Sequence, residues 1–135
     1  MKQIRQEILI AAPAAKVWEH IANSGRIAQW FRPNDFKPVV GHRFRLSCDH
    51  GDTVTCEVKE VTPPTRLVYT FRAADMPVDT LVTFTLEETV SGTKLTLVHS
   101  GWERLPPGEA AAFGQTEQGW GQFLLRLRSL FERRP

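Results

Sequence analysis

The run GWGQFLLRLRSLFERR near the C-terminus constrains the fold more than any other stretch. From Trp120, apolar residues return at Phe123 and Leu124, at Leu127, and at Leu130 and Phe131, a three-then-four spacing that places them on one stripe of an α-helix. Glutamine and arginine take the opposite face. A helix with one broad apolar face needs a partner layer in water, and the chain upstream of Pro106 reads as that partner: a sheet with one apolar face.

The upstream pattern bears this out element by element. In KQIRQEILI, Ile4, Ile8 and Ile10 alternate with Arg5 and Glu7, as in a half-buried strand. AAPAAKVWEHIA changes period: Pro13 suits a first helical turn, and Val17, Trp18 and Ile21 share a face. Ser24 is the expected N-cap of a second short helix carrying Ile27, Trp30 and Phe31. RPNDFKPVVG, with two prolines and a glycine, reads as an irregular connection bearing Phe36. Phe44, Leu46 and Cys48 then alternate, DHGD turns the chain, and Val54, Cys56 and Val58 alternate in turn. Keeping both sets on one face predicts Cys48 opposite Val54 and Leu46 opposite Cys56, with the cysteines diagonal and too far apart for a disulfide. Three more alternating runs follow: Leu67, Tyr69 and Phe71; Val82, Phe84 and Leu86; Leu95, Leu97 and His99. The expected fold is α+β: a curved antiparallel sheet of six to seven strands, meandering from His42 to Trp102, with two short helices and a long C-terminal helix.

At 135 residues the chain fits one domain, 1–135, with room for a full core. A net charge of +2 is too slight to point to nucleic acid; Arg126, Arg128, Arg133 and Arg134 read as the solvated face and C-terminal charges of the last helix. MKQIRQEILIAAP carries a charge inside its apolar run, so neither a secretion signal nor membrane insertion is expected, and a cytoplasmic location is. The two cysteines, Cys48 and Cys56, are too few for a disulfide scaffold, and their seven-residue separation matches no common zinc spacing. No cofactor is implied.

An antiparallel sheet curved around one helix leaves a choice at its centre: side chains fill it, or it stays partly open. The large rings on the inner face, Phe44, Tyr69, Phe71 and Phe84, opposite Trp120 and Phe123, suit either a packed core or a hydrophobic ligand cavity of roughly 300–1,000 Å³.

The order strand, two short helices, sheet, long helix resembles the SRPBCC or START-like (birch-pollen-allergen-like) helix-grip superfamily. So do VWEHIANSGRIAQWF, EVKEVTPPTRLVYTF, TLVTFTLEE, GTKLTLVHSGW and GWGQFLLRL. Within it, the chain is most similar to bacterial single-domain members of the family named after the C-terminal domain of the heat-shock-protein-90 ATPase activator. Trp30-Phe31, Pro63-Pro64 before Arg66-Leu67, His99-Ser100-Gly101-Trp102 and Gly119-Trp120 carry the resemblance. It implies a cavity between sheet and C-terminal helix, which relatives use for lipids, polyketides, hormones or other apolar molecules. The chain opens on its first strand, so the separate N-terminal domain by which the eukaryotic activator engages its chaperone is not expected.

The function expected from this is binding of a small hydrophobic ligand by a monomer or weak homodimer. The candidate lining is Trp30 and Phe36 at the mouth, Phe44, Tyr69, Phe71 and Phe84 on the sheet, and Trp102, Phe113, Trp120, Phe123 and Leu127 around the helix. His99, on the inner face by parity, and Tyr69, the only tyrosine, are the candidate polar anchors. The other histidines, His20, His42 and His50, read as exposed. Two alternatives stand: a stress-related module that activates a chaperone ATPase, implied by the family name, and a cyclase- or hydrolase-like enzyme with His99 as base. Common catalytic motifs are absent: there is no G-x-S-x-G elbow, no phosphate-cradling glycine loop and no H-E-x-x-H.

Overall fold

The computed structural model describes residues 3–48, 51–73, 76–105 and 110–132, the stretch 110–112 as backbone only. The first strand, β1 (Ile4–Ile10), leads into two short helices, α1 (Ala14–Ile21) and α2 (Ser24–Trp30). Strands β2 (Arg43–Ser47), β3 (Thr53–Thr62), β4 (Arg66–Phe71), β5 (Thr80–Thr89) and β6 (Gly92–Ser100) follow, then a 3₁₀ turn at Trp102–Arg104 and the long helix α3 (Ala110–Ser129). The six strands form one antiparallel sheet in the order β1-β6-β5-β4-β3-β2. This is the α+β helix-grip fold.

Alternation makes the sheet two-faced. Along β6, Thr93, Leu95, Leu97 and His99 are buried, and the intervening residues are only partly so. A register shift between Val58 and Glu60 breaks the β3–β4 ladder, a local irregularity of the kind that lets a sheet curve. On the concave side α3 lies over β1 and against α2, burying Trp120, Leu124 and Leu127, with Phe123, Leu130 and Phe131 half-buried. Gln6 of β1 donates from its amide to the carbonyl of Glu117, and a Cβ at Gly121 would lie 3.5 Å from the Gln6 side chain. That spacing is ordinary van der Waals contact, so the approach of helix and strand does not depend on Gly121 lacking a side chain.

Four details differ from the sequence reading. The N-cap of α2 is Asn23, whose side chain accepts from the Arg26 N–H; Ser24 instead donates to the carbonyl of Asn34, tying helix to loop. The β2–β3 hairpin pairs Leu46 with Val54 and Phe44 with Cys56, two residues away from the expected register, and both cysteines are free. The strand count, six among the described residues, falls within the expected six to seven. His20 is buried, its Nδ1 at 3.0 Å from the Lys16 carbonyl and its ring edge-on to Phe131 at 4.5 Å. His42 is half-buried against the Asp35 carbonyl, and His50, Arg133 and Arg134 lie outside the described residues. No helix among the described residues is long and apolar enough to cross a membrane.

The β5–β6 turn docks under the end of β1. Pro13 gives α1 no side-chain cap, and Glu88 of β5 supplies one by accepting from the Ala14 N–H at 3.2 Å. Gly92, at φ +149°, brings its backbone so close that a Cβ would lie 2.2 Å from the Ile10 carbonyl oxygen. Gly41, at φ +90°, has nothing within 4 Å. Gly92→Ala is expected to cost about 3 kcal/mol, strain and clash together, against about 1–2 kcal/mol of backbone strain for Gly41→Ala. Urea unfolding of both variants measures the gap; equal losses would mean the turn moves away from β1.

Candidate functional site

His99 is fully buried where α3 meets the sheet. Trp120 donates its indole N–H to His99 Nδ1 at 3.0 Å, so that nitrogen carries the lone pair and Nε2 carries the proton. Nε2–H then donates to Thr80 Oγ1 at 2.6 Å, whose hydroxyl donates to the Phe71 carbonyl at 2.7 Å. The chain of donors runs from α3 through β6 and β5 to β4. From the other side, Trp102 donates its indole N–H to the His99 carbonyl, and its ring packs on Phe113 at 5.3 Å. Burial lowers the His99 pKa to about 3, and the ring is neutral. With its lone pair engaged by Trp120, it holds the helix and has no lone pair to offer a substrate proton.

The centre of the sheet is filled by rings. Phe36 meets Phe44 edge-on at 5.0 Å, Phe44 meets Tyr69 at 5.1 Å, and Tyr69 leans on Phe84 at 6.1 Å. Phe84 in turn stands edge-on to Trp30 and Trp120. Trp30 is fixed by its indole N–H on the His20 carbonyl at 2.7 Å. Burial, then the neighbouring Cys56, pushes the Tyr69 phenol well above its usual pKa, and burial chiefly pushes the Cys56 thiol up as well. Both stay neutral, and Cys56 is no nucleophile.

Space remains at the end of the sheet where β2 stops, β3 begins and β4 ends. There a groove of about 330 Å³ runs between Leu46, Cys48, Val54 and Phe71 on the sheet and the Gln115–Phe123 face of α3. Phe31 and Arg32, just past α2, close one side. Phe31 packs on Trp120 at 4.9 Å and on Phe123 at 4.7 Å, so α2 and α3 share this wall. Of the expected lining residues the structure brings Phe71, Trp120 and Phe123 to the groove. It places Trp30, Phe36, Phe44, Tyr69, Phe84, His99, Trp102, Phe113 and Leu127 outside its wall, in or against the packed core.

The polar groups on the groove are Arg32, Gln115 and Thr116, none of them singled out from sequence. Spacing held the signal. Thr116, four residues before Trp120, and Gly119, four before Phe123, extend the stripe toward the start of the helix.

The neutral buried His99 makes stability depend on pH. Its folded pKa lies below the unfolded value, so below about pH 6.5 the unfolded chain takes up a proton that the folded chain refuses. Stability contributed at higher pH is then lost toward pH 3. Between pH 6.5 and 5, where carboxylates titrate little, wild type should lose stability faster than His99→Gln, the excess slope rising from about 0.7 to about 1.3 kcal/mol per pH unit. Parallel slopes in urea denaturation would show position 99 protonating in the native state.

Residues 11–132 match the family described as Activator of Hsp90 ATPase homolog 1-like protein. No curated protein matches the chain. Among solved structures, protein MLL2253 from Mesorhizobium loti shares 37% identity over 99% of each chain, with a TM-score of 0.90. Protein BH1534 from Bacillus halodurans shares 33% over 97% of each, with a TM-score of 0.80. The Aha1 dimer from Colwellia psychrerythraea has the same fold, with 23% identity over 98% of this chain and 97% of that one and a TM-score of 0.82. Since the family match runs from the turn after β1 to just past the end of α3, the chain belongs to the Activator of Hsp90 ATPase homolog 1-like family.

Proposed function

We propose that the protein binds a small apolar molecule in the groove between the open end of the sheet and the Gln115–Phe123 face of α3. The observation that carries this reading is the groove itself: about 330 Å³, walled by the rings of Phe31, Phe71, Trp120 and Phe123 with Leu46 and Val54. That volume lies at the small end of the usual range for ligand pockets, roughly 300–1,000 Å³, and a mostly apolar wall with few polar groups is their usual composition. The ring-filled centre supports a ligand seated at the end of the sheet rather than beneath the middle of the helix. Action as a cytoplasmic monomer or weak homodimer belongs to the same reading.

The family description supplies a second reading, stimulation of a chaperone ATPase. Adding the purified chain to an Hsp90-type ATPase tests it, and an unchanged rate removes it.

Gly119 makes the first reading testable without damage to the fold. A Cβ there meets only the Phe123 ring, at 3.9 Å, so a leucine side chain would project into the groove from an ordinary helical position. Gly119→Leu is expected to raise stability by up to about 1 kcal/mol, through helix propensity, while weakening binding of a naphthalene-type probe at least about tenfold. Amide and indole chemical shifts follow the titration. Undiminished binding in the variant, or shifts confined to residues away from Phe71, Trp120 and Phe123, would sink the assignment.

A further inference from the structure

Accepting the groove as the binding site, we infer that Thr116 sets its specificity: the hydroxyl pairs with an uncharged hydroxyl or carbonyl of a guest whose apolar body lies against Trp120 and Phe71. Thr116 lines the groove from α3, half-buried, and its hydroxyl has no hydrogen-bond partner among the described residues. A hydroxyl inside a helix commonly turns back to a carbonyl three or four residues earlier, as Ser129 does on the Arg126 carbonyl at 2.7 Å. Among the described residues every buried side-chain polar atom is paired, so the unpaired Thr116 hydroxyl is accessible, on a side chain that lines the groove. Arg32, on the same wall, is already engaged and packs over the Phe123 ring at 5.2 Å, so the polar group left for a guest is uncharged. Gln115, next to Thr116, is exposed at the rim, which leaves the half-buried hydroxyl as the contact a guest can seal from water. A threonine hydroxyl both donates and accepts, so it serves a guest hydroxyl or carbonyl equally.

Spacing bounds the guest. Thr116 stands one helical turn before Trp120, about 6 Å along the axis. Between them Gly119 keeps the wall open, since a Cβ there would meet only the Phe123 ring, at 3.9 Å. A polar group at Thr116 and a flat body on Trp120 therefore belong to one molecule of about two rings. The volume agrees: about 330 Å³ is about twice the roughly 150 Å³ cavity that holds one benzene.

The test titrates the full chain and its Thr116→Val variant with 2-naphthol, with the size-matched 2-methylnaphthalene and with 2-naphthoate, read by chemical shifts. Valine keeps the branched shape and strands no partner, because the hydroxyl it removes has none among the described residues. Thr116→Val should weaken naphthol about three- to tenfold while holding methylnaphthalene within about twofold, as the loss of one neutral hydrogen bond requires. In wild type, naphthoate should bind more weakly than naphthol. Equal effects of the substitution on naphthol and methylnaphthalene would overturn the role of Thr116 while leaving an apolar binding groove. Naphthoate binding as tightly as naphthol would overturn the preference for an uncharged group. If none of the three probes shifts groove residues, the Thr116 assignment and the groove reading fall together.

Discussion

The helix is gripped by a directed chain of hydrogen bonds, and the rest of the architecture depends on it. An apolar stripe alone tolerates small rotations of a helix, because hydrophobic contact has no preferred direction. The Trp120 N–H to His99 to Thr80 to Phe71 carbonyl sequence removes that freedom, since each donor has one acceptor and the imidazole has one workable tautomer. Among the described residues no buried side-chain polar atom is left without a partner, so this polar seam carries no unsatisfied group. Fixing the rotation of α3 at Trp120 fixes which residues one turn either side face the open end of the sheet: Thr116, Gly119 and Phe123.

Most of the fold was legible because alternation and helical spacing are local signals. The parity that put Leu95, Leu97 and His99 on one face needed no knowledge of neighbouring strands, and the helix stripe none of the sheet. Register was not legible. Sliding β2 against β3 by two residues keeps every side chain on its face, so the pattern that finds the strands cannot choose between Cys48 and Leu46 as partner of Val54. Asn23 and Ser24 are adjacent residues of similar capping strength, and the choice was made by Asn34, which engages Ser24 through both the hydroxyl and the carbonyl. His20 was hidden for a similar reason, as its burial comes from Phe131 at the far end of the chain.

The site was less legible than the fold. Aromatic residues on an inner face announce volume but not whether they will fill it. Phe36, Phe44, Tyr69 and Phe84 interlock because the connection carrying Phe36 is bound along β2, where Asn34 bridges Leu46 and Ser47 donates to the Pro33 carbonyl. Where that interlocking stops, Phe71 on β4 and Trp120 on α3 line open space together with Phe31 and Phe123. The packed core and the hollow, posed by the sequence as alternatives, occupy different ends of the same sheet.

That division gives the two walls of the groove unequal stiffness. Phe71 and Trp120 belong to elements joined by the His99 chain, and shifting either breaks buried hydrogen bonds. Phe31 is held by ring contacts to Trp30, Trp120 and Phe123, and Phe123 by its contact with Phe31, all of them dispersion contacts that another apolar surface can replace in kind. Dispersion contacts are individually small and interchangeable, whereas a lost buried hydrogen bond costs about 1–3 kcal/mol. On the proposed binding reading, accommodation of guests of differing shape falls on the Phe31–Phe123 side, and the sheet side supplies the fixed template. One tryptophan connects the two: its N–H closes the polar chain while its ring faces the groove, so filling the groove and seating the helix draw on the same side chain.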